Sequence, residues 1–216
     1  MTPRQPHQEE IIIFSRYPRA GQVKTRLIPH LGAEGAARLQ QYLTEQTLAR
    51  ATAAATLRPA RLSLWYTGGS APEMTDWLGT DLSLRPQQGT DLGERMAAAF
   101  QAAWAEGMQR AVLLGTDCPA LSSELIARAL AELEGHDLVL GPAHDGGYYL
   151  IGLRHGLAPG TLAALLRDIA WGGASVFRDT LARATAANLT ISTLQELHDI
   201  DRPEDLRHLH HHPHPQ

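Results

Sequence analysis

Along the chain, short runs of apolar residues alternate with longer stretches in which apolar positions recur every three or four residues. The first pattern predicts buried strands and the second amphipathic helices. Glu10–Phe14, with three consecutive isoleucines, is expected to be the first strand. Gly32–Ala55 carries Ala36, Leu39, Tyr42, Leu43 and Leu48 at near-helical spacing and predicts a long helix. Further strands are expected at Arg61–Thr67, Asp81–Pro86, Ala111–Leu114, His136–Pro142, Tyr148–Leu153 and Leu189–Leu194. Helices are expected at Pro72–Leu78, from Thr90 or Asp91 to Glu106, at Ser122–Glu134, at Leu162–Asp168 and from Trp171 to Ala187, with a last one after Asp201. Strands alternating with helices from end to end predict an α/β fold, a three-layer α/β/α sandwich around a mostly parallel sheet.

The stretch Ala111–Leu114 runs into Gly115-Thr116-Asp117-Cys118-Pro119. A buried strand stopped by glycine would place Asp117 at the carboxyl rim of the sheet, where open α/β sheets bind ligands. A carboxylate there can hold Mg²⁺ against phosphate oxygens. Asp117 is equally placed to cap the helix that follows, as are Ser122 and Ser123.

After the first strand, Arg16, Arg19, Lys24 and Arg26 put four cations in a turn-rich loop containing Pro18 and Gly21. Such a cluster suits a di- or triphosphate, and it also suits a solvated basic loop. Its spacing matches neither a Walker A loop nor G-x-G-x-x-G. Gln88 and Gly89 are candidates to touch a base or ribose, or form a plain turn. Asp145 precedes Gly146 and Gly147, a combination that lets backbone approach a ligand and that also makes an ordinary hairpin turn. Asp199 and Asp201 flank Ile200, and one of them is a candidate third metal contact. Asp201, ahead of Arg202-Pro203, serves equally as a helix cap. His144 is either a general base or a surface group, and Trp171 either a core plug or a lid.

Composition narrows the partners. The 216 residues carry a net charge of -4 with no long basic block, which argues against a nucleic-acid backbone or an anionic membrane as the main partner and for a small molecule. One cysteine excludes an internal disulfide framework and fits a reducing compartment, so a cytoplasmic location is expected. No apolar run reaches membrane length. Residues 1–207 are expected to form one domain, and the His-rich tail 208–216 to be disordered rather than a metal site.

Four motifs in order carry a resemblance: Phe14-Ser15-Arg16-Tyr17-Pro18-Arg19-Ala20-Gly21-Gln22-Val23-Lys24-Thr25-Arg26-Leu27; Gly115-Thr116-Asp117-Cys118-Pro119; Gly141-Pro142-Ala143-His144-Asp145-Gly146-Gly147-Tyr148-Tyr149-Leu150-Ile151-Gly152; and Asp199-Ile200-Asp201-Arg202-Pro203-Glu204-Asp205-Leu206. Together they resemble a poorly characterised bacterial branch, domain of unknown function 2064, of the GT-A type nucleotide-diphospho-sugar transferases. That branch is similar to 2-phospho-lactate guanylyltransferases and to molybdenum-cofactor nucleotidyltransferases.

The resemblance implies a Rossmann-like GT-A domain that binds a nucleotide-sugar or nucleoside triphosphate with Mg²⁺ or Mn²⁺, plus a small-molecule acceptor. It gives Lys24 and Arg26 a phosphate role at the catalytic centre and Asp117 a metal role, with Asp145 and Asp201 completing the cation's shell. Arg16, Gly21, Gln88, Gly89 and Thr116 are further candidates for binding the nucleotide and its phosphates. Two departures stand out: no Gly-x-Gly-x-Arg precedes Lys24, and Thr116-Asp117-Cys118 replaces Asp-x-Asp. The implied activity is transfer from a nucleotide-activated donor, with a glycosyltransferase first, a nucleotidyltransferase releasing pyrophosphate second, and a non-catalytic nucleotide-binding protein third.

Overall fold

The computed structural model describes residues 8–211. Seven strands form one sheet: β1 (Glu9–Arg16), β2 (Arg61–Thr67), β3 (Ser83–Pro86), β4 (Arg110–Leu114), β5 (Leu138–Pro142), β6 (Tyr148–Arg154) and β7 (Ile191–Thr193). Their order across the sheet is β3-β2-β1-β4-β6-β5-β7. Six helices connect them: α1 (Ile28–Leu57), α2 (Ala71–Leu78), α3 (Leu92–Ala105), α4 (Ser123–Glu132), α5 (Thr161–Leu166) and α6 (Val176–Ala186).

The isoleucine run of β1 is apolar on both faces because both faces are covered. Ile11 and Ile13 pack with α1, α2 and α4, whereas Ile12 and Phe14 pack with α3, α5 and α6. Ile11, Ile12 and Ile13 are each 0% exposed, so each contributes about 1.5–3 kcal/mol through burial. β1 pairs in parallel with β2 and β4, and β2 with β3. β6 is antiparallel to both β4 and β5, since the short turn at Asp145–Gly147 joins β5 to β6 directly and only an antiparallel pair can be joined that tightly. The carboxyl ends of β1, β2, β3, β4, β5 and β7 therefore share one rim of the sheet.

At the opposite rim, Glu9 accepts from Arg58 and Arg110, and Glu10 from Ser63 and Arg61. These buried carboxylates anchor the start of β1.

Several boundaries move. α1 begins earlier than Gly32, which kinks it at φ 71° and ψ 166°. The helix expected from Trp171 starts at Val176, because Gly172 at φ 81° holds a turn there. Asp91 caps α3, its carboxylate accepting from Glu94 N. Ser122, and not Asp117, caps α4, accepting from Leu125 N. After Asp201 the chain forms a 3-10 helix, Pro203–His211, which enters the stretch expected to be disordered from 208. Leu209 packs against a small core of Leu27, Leu39, Leu43 and Ile200, and this contact orders the chain there. The remainder of the tail, 212–216, lies outside the described residues. No helix among the described residues is long and apolar enough to cross a membrane.

Candidate active site

Asp117 follows β4 and stands where three hollows of the sheet rim meet. The largest, a cleft of about 580 Å³, is lined by Arg16, Gln40, Gln87, Thr90, Arg95 and Thr116 among others. A cationic pocket of about 390 Å³ lies beside it, walled by Arg16, Gln22, Lys24 and Arg26. An inner cavity of about 250 Å³ opens on the far side of Asp117, with Asp145, Asp199, Tyr148, Tyr149 and Trp171 on its walls.

The loop after β1 divides its four cations. Arg16, Lys24 and Arg26 line the cationic pocket. Arg19 turns away to pair with Glu73 at 2.5 Å and lies 5.5 Å from the Tyr17 ring. Gly21, at φ 79°, shapes the turn of this loop. Lys24 Nζ donates to Asp117 Oδ1 at 2.8 Å and to the Ile200 carbonyl at 2.6 Å, and Arg26 forms an ion pair with Asp201. Both phosphate-loop candidates thus meet carboxylates brought by distant segments.

Asp145 lies in the β5–β6 hairpin, where its Oδ1 accepts from Gly147 N at 2.8 Å. Asp-Gly-Gly thus forms the hairpin turn, and the same turn puts Asp145 on the wall of the inner cavity. Gly146 is required: at φ 91°, an added Cβ would lie 2.2 Å from the Ala174 carbonyl. Asp145 and Asp199 share the inner cavity with Asp117. Burial first, then Asp145 and Asp117, push the Asp199 carboxyl above its ordinary range. Cys118 is 3% exposed, and burial, followed by the Asp117 charge, pushes its thiol up, which keeps it protonated and unreactive. Asp201 borders the neighbouring pockets but is engaged by Arg26. Among the described residues, no group of three or more His, Cys, Asp or Glu could hold a metal ion unaided.

In the large cleft, Gln87 rather than Gln88 lines the wall, its Nε2 donating to the Trp65 carbonyl at 3.0 Å. Gly89 lies beneath Arg95, whose Nε donates to the Gly89 carbonyl at 3.1 Å. Thr116 lines the cleft and accepts from Gln40 Nε2 at 3.3 Å. Gln40 is 5% exposed and also bonds Thr44, which in turn meets Ser15 at 2.8 Å. This buried polar chain links β1, α1 and the Asp117 loop. Its members are scattered polar residues on otherwise apolar elements, and that misfit with their surroundings is the signal that would have found them.

Trp171 lines both the large cleft and the inner cavity, its ring edge-on to Tyr148 at 6.3 Å. It is a wall between them. His144 sits outside the inner cavity, bonded to Glu196 at 3.0 Å and beside His198.

A protein-family model described as an uncharacterized protein conserved in bacteria (DUF2064) matches residues 47–173. No curated protein sequence matches the chain. Among solved structures, a provisionally assigned nucleotide-diphospho-sugar transferase from Desulfovibrio desulfuricans G20 is 36% identical, with a TM-score of 0.86 over 95% of this chain and 87% of its own. A nucleotidyl transferase from Methanothermobacter is 16% identical, with a TM-score of 0.63 over 94% of this chain and 95% of its own. Rv0371c from Mycobacterium tuberculosis H37Rv, crystallised with manganese, is 18% identical, with a TM-score of 0.56 over 94% of this chain and 97% of its own. The fold is the Rossmann-like fold of GT-A transferases and nucleotidyltransferases.

Proposed function

This chain belongs to the bacterial family DUF2064, and on that premise we propose that it is a metal-dependent glycosyltransferase whose donor is a nucleotide-sugar. The name of its Desulfovibrio relative supports a nucleotide-diphospho-sugar donor. The observation that carries the choice is the inner cavity. It is walled by three carboxylates and by Tyr148, Tyr149 and Trp171, with no Lys or Arg among its lining residues. A neutral sugar ring fits such walls, with Trp171 and Tyr148 for its C–H surfaces and carboxylates for its hydroxyls. A phosphorylated acceptor, which nucleotidyl transfer would place there, finds no Lys or Arg on the lining to pair with and faces Asp145 and Asp199.

A divalent cation fits the donor set. Asp117, Asp145 and Asp199 offer hard oxygens, and their mutual repulsion, felt at Asp199, is what a cation between them would relieve. Mg²⁺ and Mn²⁺ sites commonly take one or two carboxylates and complete their shell with substrate phosphates, so a ready-made cage of protein ligands is not needed. The manganese complex of Rv0371c, a protein of the same fold, is consistent with this choice. When bound, the cation supplies Lewis-acid stabilisation of the leaving diphosphate.

The chain's own groups do the rest. The large cleft, with Gln87, Thr90 and Arg95, accommodates the nucleoside. Arg16 stands where that cleft meets the cationic pocket, positioned to hold the diphosphate and stabilise charge as the glycosidic bond breaks. Trp171 and Tyr148 orient the sugar and exclude water from it.

The test compares UDP-, GDP- and CDP-sugars with the four nucleoside triphosphates, each with Mn²⁺, by thermal shift and product analysis. Stabilisation by a nucleotide-sugar, with release of a nucleoside diphosphate, is expected. Stabilisation by triphosphates alone, with pyrophosphate released, would replace this reading by nucleotidyl transfer.

A further inference from the structure

Lys24 is the single lysine in a chain with 19 lysine and arginine residues together. Its side chain is 4% exposed, and two of its three N–H donors are taken, by Asp117 Oδ1 at 2.8 Å and the Ile200 carbonyl at 2.6 Å. Its backbone sits at φ 46° and ψ 41°, a left-handed conformation that residues with a Cβ seldom adopt. Ile200 N donates back to the Asp117 carbonyl at 2.9 Å, so the two acceptors of the ammonium are themselves tied together. A strained loop, a buried cation and a cross-linked pair of acceptors all serve one contact. Such an ammonium is a poor open hook for phosphate, because its charge is already spoken for.

We propose that Lys24 is the resident counter-ion of Asp117, and that a divalent cation exchanges with its ammonium at that carboxylate, turning the ammonium toward the donor's phosphates. The proposal rests on the metal-dependent reading of the site given above. Lys24 holds one oxygen of the half-exposed Asp117 carboxylate, so a divalent cation bound to that group stands close to the ammonium, and their repulsion in a partly buried site favours release of Lys24. Lysine suits the exchange where arginine would not: it is a point charge on a flexible stem, whereas a guanidinium fork locks onto a carboxylate. Release of the ammonium makes cation and phosphate binding mutually reinforcing, since each removes what opposes the other. Metal alone and nucleotide alone then bind weakly, and the pair binds well.

A lone lysine makes the exchange directly readable. In the wild-type protein, modification of Lys24 by trinitrobenzenesulfonate is followed by peptide mass spectrometry, which separates it from the terminal amine. Lys24 is expected to resist the reagent in metal-free protein and to react about tenfold faster in saturating Mg²⁺. In parallel, Mn²⁺ binding is measured by electron paramagnetic resonance for the wild type and Lys24→Met, and the variant is expected to bind about tenfold more tightly. A Lys24 whose reactivity ignores bound metal overturns the exchange, as does a folded Lys24→Met with unchanged affinity, and either result leaves the metal-dependent reading standing. Absence of Mn²⁺ binding in both proteins overturns the two together. If Lys24→Met does not fold, the wild-type reactivity decides alone.

Discussion

Asp199 and Asp145 face the same inner cavity, and after burial it is the Asp145 carboxylate that does most to hold Asp199 above the ordinary carboxylate range. A folded protein that raises an acid's pKa opposes its ionisation. The contribution of Asp199 to the stability of the metal-free protein is therefore full below the unfolded value near 3.8 and is lost as pH rises through the higher folded value.

Asp199→Asn removes that opposition. The metal-free variant is expected to melt about 2–4 °C above the wild type at pH 7, with the difference between the two shrinking as pH falls toward 3.8. It is also expected to lose most of the stabilisation that Mn²⁺ gives the wild type. Differential scanning fluorimetry with and without Mn²⁺ checks both; a variant stabilised by metal as well as the wild type is would remove Asp199 from the cation's shell.

Asp145 and Asp201 should separate by function. Asp145→Asn removes from the wall of the inner cavity a carboxylate proposed to face the cation, and is expected to lower kcat about a hundredfold. Asp201→Asn releases only Arg26 from an exposed ion pair and is expected to cost less than about tenfold. Steady-state kinetics with the donor identified by the substrate panel would decide the order.

Asp137 tests stability away from the site. Burial pushes its carboxyl up, but hydrogen bonds from Thr190 N and Oγ1, at 2.9 and 2.7 Å, and from Arg154 outweigh burial and hold it below its ordinary value. Its contribution is thus present above the unfolded pKa of 3.8 and lost as pH falls through the folded value. Asp137→Ala is expected to cost about 3 kcal/mol at pH 7, measured by urea denaturation, with kcat unchanged.

Gly93 carries the Trp171 loop. An added Cβ would lie 2.1 Å from the Leu166 carbonyl and 2.9 Å from the Trp171 ring. Gly93→Ala is expected to destabilise by about 1–3 kcal/mol and, by moving Trp171, to raise the donor KM. A change in stability with KM unaltered would mean that Trp171 does not contact the donor.

The sheet was legible because its signals are local. Three isoleucines in β1, the glycine stop after Leu114 and the glycine pair after Asp145 each mark a strand end without reference to the rest of the chain. What escaped depends on distant partners. Asp199 and Asp201 are equivalent in sequence, and only Arg26, 175 residues away, engages one and leaves the other to the inner cavity. Arg19 looked like one more phosphate cation until Glu73 claimed it. Gln87 and Gln88 differ only in which faces the cleft, which the end of β3 decides. The solitary lysine was visible in the sequence; its left-handed backbone and buried pairing were not.

The most direct measurement is a crystal of the protein grown with Mn²⁺ and a nucleoside diphosphate, with diffraction collected for manganese anomalous scattering. One peak is expected at the Asp117 rim, held by one or two of Asp117, Asp145 and Asp199, with the diphosphate completing the coordination from the Arg16 side. A peak on Asp201 and Asp205, or no ordered manganese at the Asp117 rim while the nucleotide is bound, would contradict it.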